Sequence, residues 1–158
     1  MNVRLVLVGL TLASVAGVAA AAPVSAIRLS PLTARFYYTD RGDWSGNMFD
    51  KDGHYSGWNS IIGEGDAGGP FDDVMIDVGL AAPGSTNAIN VDQPLVLKAF
   101  KGKRVIATRT NRNMLIPLNG QAHVALFLVD VGCGGTIDVV ATYKKQVRKG
   151  QLAMACGE

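Results

Sequence analysis

The chain has 158 residues, with 15 Lys and Arg against 13 Asp and Glu, and two cysteines. That length suits a single domain able to bury a real core without a dense disulfide framework. A formal net charge of +2 is too small to identify a partner by itself.

The first residues set the compartment. Arg4 supplies a short positive start, residues 5–18 are apolar and uncharged, and Ala19, Ala20, Ala21 and Ala22 precede Pro23. This is the three-part pattern of a secretory signal peptide, and cleavage after Ala21 fits its small-x-small rule. The apolar run is shorter than the ~20 residues a spanning helix needs, and no stop-transfer charges follow. The expected division is a cleaved leader over 1–21 and one domain over 22–158, periplasmic or secreted, with no membrane span in the mature chain. Nucleic acid is a poor partner in that compartment.

Residues 32–39, carrying Phe36, Tyr37 and Tyr38, read as the first strand. The next stretch, 40–72, is rich in Gly and Asp and far longer than the usual ~4–6 residue connection. Between Asp40 and Asp73 eight acids face two bases, six net negative charges. Several motifs lie in this stretch. Residues 65–70 spell GDAGGP, one letter from the serine-nucleophile motif of trypsin-like peptidases. Ala67 stands at the nucleophile position and has no hydroxyl to attack with. Neither His54 nor His123 has a triad-like context, so the likeness is read as chance in a glycine-rich loop. The tripeptide Arg41-Gly42-Asp43 matches the integrin-recognition sequence, but three common loop residues are read as a solvated turn. Asp50-Lys51-Asp52-Gly53 begins like a calcium loop but has glycine too early and no acid at the twelfth position, so it is no EF-hand. Carboxylates gathered from separate turns remain candidate calcium ligands: Asp50, Asp52, Asp66, Asp72 and Asp73. The plainer reading makes them turn-capping and solubilising residues.

Trp44, Phe49, Tyr55 and Trp58 are interleaved with Gly, Ser and Asn, a composition suited to recognition surfaces. Trp44, Tyr55 and Trp58, with His54 beside them, are the candidate binding residues; Phe49 and Trp58 also fit as anchors of the loop itself. A short helical turn is expected here, capped by Ser56, with Trp58, Ile61 and Ile62 on one face and Gly63 as its stop.

Beyond residue 72 the pattern becomes strands and turns. In 73–80, Val74, Ile76, Val78 and Leu80 alternate with other residues, the period-two mark of a half-buried strand. Strands 94–100 and 104–110 flank Lys101-Gly102-Lys103. Strands 113–118 and 122–130 flank Asn119-Gly120, the strongest short-range hairpin signal, from which a type I′ turn is expected. Strand 136–144 follows, and 151–156 reads as a short last strand. Between Lys98 and Lys149 ten bases face two acids. Lys101, Lys103, Arg104, Arg109 and Arg112 gather about one hairpin, with Lys144–Lys149 on another turn. Lysines there protect sheet edges; their alternative partners are anionic glycans, lipid headgroups or an acidic protein.

Cys133 and Cys156, an even pair in an exported chain, are expected to form one structural disulfide. Two distant histidines supply too little for a zinc site. The whole reads as an all-β protein, an antiparallel β-sandwich of immunoglobulin-like architecture with one long acidic loop carrying a short helical turn. Its expected role is non-catalytic: a binding or interaction module for an envelope protein or glycan, working through 40–73. The alternatives are a calcium-dependent adhesion or glycan-binding module and a small hydrolase of envelope polymer. Calcium is the sole cofactor considered.

Overall fold

The structure is a computed structural model and describes residues 26–58, 67–131, 133 and 135–155. The expected leader, Asp66, the expected helical residues Ile61, Ile62 and Gly63, and Cys156 lie outside the described residues. The fold is all-β. In chain order the strands are β1 (Arg28–Tyr38), β2 (Asp43–Trp44), β3 (His54–Trp58), β4 (Asp73–Ala81), β5 (Ile89–Asn90), β6 (Leu95–Lys101), β7 (Arg104–Asn111), β8 (Leu115–Ile116), β9 (Gln121–Leu128), β10 (Gly135–Tyr143) and β11 (Gln146–Ala155). They form a four-stranded sheet ordered β2-β1-β4-β9, a five-stranded sheet ordered β3-β11-β10-β6-β7, and a small β5-β8 pair. Pairing is antiparallel throughout except between β11 and β3, which run parallel. Among the described residues no helix is long and apolar enough to cross a membrane.

Alternation in sequence explains the packing. Ala34, Phe36 and Tyr38 of β1, Val74 to Leu80 at every second position of β4, and Val124, Leu126 and Leu128 of β9 are buried. Leu95, Leu97 and Ala99 of β6, Ile137 to Tyr143 at every second position of β10, and Leu152 and Met154 of β11 join the same core cluster. Each large apolar side chain so buried contributes on the order of 1.5–3 kcal/mol. Phe36 sits among aromatics, stacked on Phe71 at 3.9 Å between ring centroids and meeting Tyr55 edge-on at 4.8 Å.

Both ends of β1 are fastened by side chains. Its register with β4 slips between Leu29 and Leu32, around Pro31, whose missing N–H suits an irregularity in the ladder. There the Gln146 side chain stands in for a peptide unit: its Oε1 accepts from the Leu29 amide at 2.9 Å and its Nε2 donates to the Ile27 carbonyl at 2.8 Å. Along the far edge, Ser45 Oγ accepts from the Phe36 amide at 2.9 Å and Asn47 Oδ1 from the Ala34 amide at 3.0 Å. The ladder of β1 is thus continued where β2 stops by these side chains together with the Ser45 and Met48 amides, which donate to the Phe36 and Ala34 carbonyls.

Four expectations change. Ser56 and Trp58 belong to strand β3, not to a helical turn, because backbone pairing with β11 outweighs the local apolar spacing. The stretch 40–72 is not one loop, since β2 and β3 lie within it. The expected hairpin about Asn119-Gly120 does not form: β8 pairs with β5 and β9 with β4. The Gly120 amide bonds the Pro117 carbonyl at 3.1 Å, setting the turn over 117–120, and of its two central residues Asn119 alone has positive φ, 57°. A type I′ turn would need both. Finally, the last strand begins at Gln146 rather than 151, so Arg148 and Lys149 lie on a strand and Lys144-Lys145 makes the turn.

Candidate functional site

The acidic segment is held together by backbone bonds to its own side chains. Asp50 Oδ1 accepts from the amides of Asp52 at 2.8 Å and His54 at 2.9 Å. These bonds, the His54 amide first, hold its carboxyl below the usual carboxylate range. Asp73 Oδ1 accepts from the Asp130 amide at 3.1 Å. Among the described residues no three His, Cys, Asp or Glu side chains gather in a group able to hold a metal ion. Asp50 and Asp52 share one turn, while Asp72 and Asp73 stand at the start of β4.

Within the GDAGGP stretch the described residues, 67–70, form a structural anchor. Ala67 is fully buried and its carbonyl accepts the Tyr38 hydroxyl. Arg41 lies over the Tyr38 ring at 3.9 Å, donates to the Gly68 carbonyl at 3.2 Å and pairs with Asp43 at 3.3 Å. The arginine of the Arg-Gly-Asp tripeptide is thereby committed within the chain.

The four candidate binding residues separate. Tyr55 is 6% exposed and packs on Phe36. Its place in the core corrects the surface reading, because pairing of β3 with β11 turns it inward. His54 is exposed, at the start of β3. Trp58 ends β3. Trp44 is 39% exposed on β2, and the register assembles neighbours around it that the sequence did not single out. Tyr37 of β1 is its cross-strand partner, with ring centroids 5.0 Å apart. On the same outer face Arg35 pairs with Met75 of β4, and Met75 with Phe127 of β9. Phe127 is 57% exposed, and its ring lies 6.2 Å from that of Trp44, inclined at 59°. Val129, 66% exposed, follows just beyond β9.

Polar side chains continue this face. Thr33 is opposite Asp77, and Asp77 Oδ2 meets Nδ1 of exposed His123 at 2.8 Å. One side of the four-stranded sheet therefore carries an aromatic platform at one end and hydrogen-bonding groups along the rest. The signal available in sequence was period-two alternation: Tyr37, Met75 and Phe127 occupy the outward positions of strands whose inward positions are core residues. Set against known protein families and curated proteins, the chain matches none.

Proposed function

We propose that the protein is an exported, non-catalytic binding module of β-sandwich, immunoglobulin-like form, and that it binds an envelope glycan on the outer face of the four-stranded sheet. The observation that carries this reading is the cluster of exposed Trp44 and Phe127 with half-buried Tyr37, beside Arg35, Thr33, Asp77 and His123. A sugar ring offers an apolar face for aromatic contact and hydroxyls for such polar groups. Contiguous apolar surface rimmed by polar residues marks interaction sites. The sandwich form is supported by two sheets contributing alternate residues to one core.

A disulfide between Cys133 and Cys156 belongs to the same reading. Gly135 pairs with Met154, and in the sequence Cys133 and Cys156 stand two residues from each of these. Such a crosslink stabilises by roughly 3 kcal/mol in the chain-entropy account.

The test is a glycan array probed with wild type and with Trp44→Ala and Phe127→Ala. Wild-type signal lost in both variants, with thermal midpoints retained, supports the reading. An array without signal, together with capture of an envelope protein lost in the same variants, replaces the glycan with a protein partner.

A further inference from the structure

Strand β7 is the terminal strand of the five-stranded sheet, paired with β6 on one side alone. Its other backbone edge bonds to no described residue. It is eight residues long, and no residue of it is buried. Val105 is 47% exposed and Ile106 36%. Long open edges of this kind present unpaired N–H and C=O groups that template another strand.

The charge around this edge is of one sign. From 98 to 112 the sequence holds six Lys and Arg and no acid. None of these cations makes an ion pair with a described residue; the ion pairs join Arg41 to Asp43, His123 to Asp77 and Lys144 to Asp92. Basic side chains on an edge discourage association with like-charged copies and attract an acidic segment instead. The alternation of main-chain donors and acceptors selects the kind of anion. A polysaccharide or a lipid headgroup satisfies the charges but leaves the N–H groups without a matching ladder, whereas a peptide satisfies both. We infer that β7 is a docking edge for an extended acidic peptide segment of a partner protein, which adds a strand beside it. The exposed Val105 and Ile106, at the register shift where Ile106 has no partner on β6, supply apolar contact, and Arg104 and Arg109, with Lys101 and Lys103 beside the turn, pair with the carboxylates.

The experiment uses the purified protein and a fluorescent nine-residue peptide alternating Glu with Val, read by polarisation. Its partners are the same peptide with alternate amides N-methylated, its Lys-for-Glu counterpart, and the protein variant Arg104→Glu/Arg109→Glu with its melt checked. Saturable binding of the Glu peptide, weakened at least tenfold by N-methylation and tenfold by the double substitution, supports the inference. Equal binding of the N-methylated peptide overturns it, since the edge would then be attracting charge without pairing strands. Absence of binding overturns it too and leaves the cations as protection of the edge. Self-association of the protein that the peptide cannot displace shows a second copy on β7, and likewise overturns it.

Discussion

Asp50 acts through one oxygen, which gathers the amides of Asp52 and His54 and so shapes the turn into β3. Its carboxyl is held below the ordinary 3.8, chiefly by the His54 amide. Because the folded value is the lower one, the stability Asp50 contributes is complete above the unfolded value and fades as pH falls through the folded one. Wild type should therefore melt higher than Asp50→Ala near neutral pH, and the two melting curves should converge on acidification. The difference should be equal in millimolar calcium and in chelator; a gap appearing with calcium alone would make Asp50 a metal ligand. Tyr38 offers a second residue-scale prediction. Its hydroxyl donates to the carbonyl of buried Ala67, so Tyr38→Phe leaves an acceptor buried without its donor. We expect a loss of about 1–2 kcal/mol in urea unfolding, with secondary structure retained.

At the scale of elements, β11 is narrowed at Gly150 to admit a neighbour. A Cβ there would stand 2.9 Å from Cζ of Phe49 and 3.0 Å from the Gly53 carbonyl oxygen. Gly150→Ala should therefore destabilise by about 1–3 kcal/mol, and Phe49→Leu in the same chain should recover part of that loss in a double-mutant cycle. The same crossing explains why β3 was not legible in sequence. His54-Tyr55-Ser56-Gly57-Trp58 shows no alternation of β-branched residues, and its partner lies at 151–155, far along the chain. β4, β6 and β10 were legible because their apolar residues recur at every second position and face one core. The signal at Asn119-Gly120 misled because the turn closes one residue earlier, over 117–120 with Pro117 first, and β8 pairs with β5. Of the candidate surface, Trp44 was readable as an aromatic in a polar segment. Tyr37 and Phe127 were not, since their meeting with it depends on a sheet order that no local window contains.

For the whole molecule, the aromatic platform lies outside the core, so Trp44→Ala and Phe127→Ala should leave the thermal midpoint nearly unchanged, within about 0.5 kcal/mol each. Tested in parallel, Phe36→Ala, which removes a fully buried ring, should cost about 3–5 kcal/mol. That contrast separates side chains exposed on the sheet face from those that pack the core. The parallel seating of β3 on β11 also has a consequence in time. The hydrogen-bonding partner of residues 54–58 is 151–155, so during synthesis β3 waits until β4 to β10 have been made, and distant pairings of this kind fold slowly. Removing β11 by stopping the chain after Lys145 should leave β3 without its partner and β10 with an open edge, and the fragment should lack a cooperative melt. The sheet is thus completed by β11, made long after β3, and until then the chain carries in its own strand order a delay before it can close.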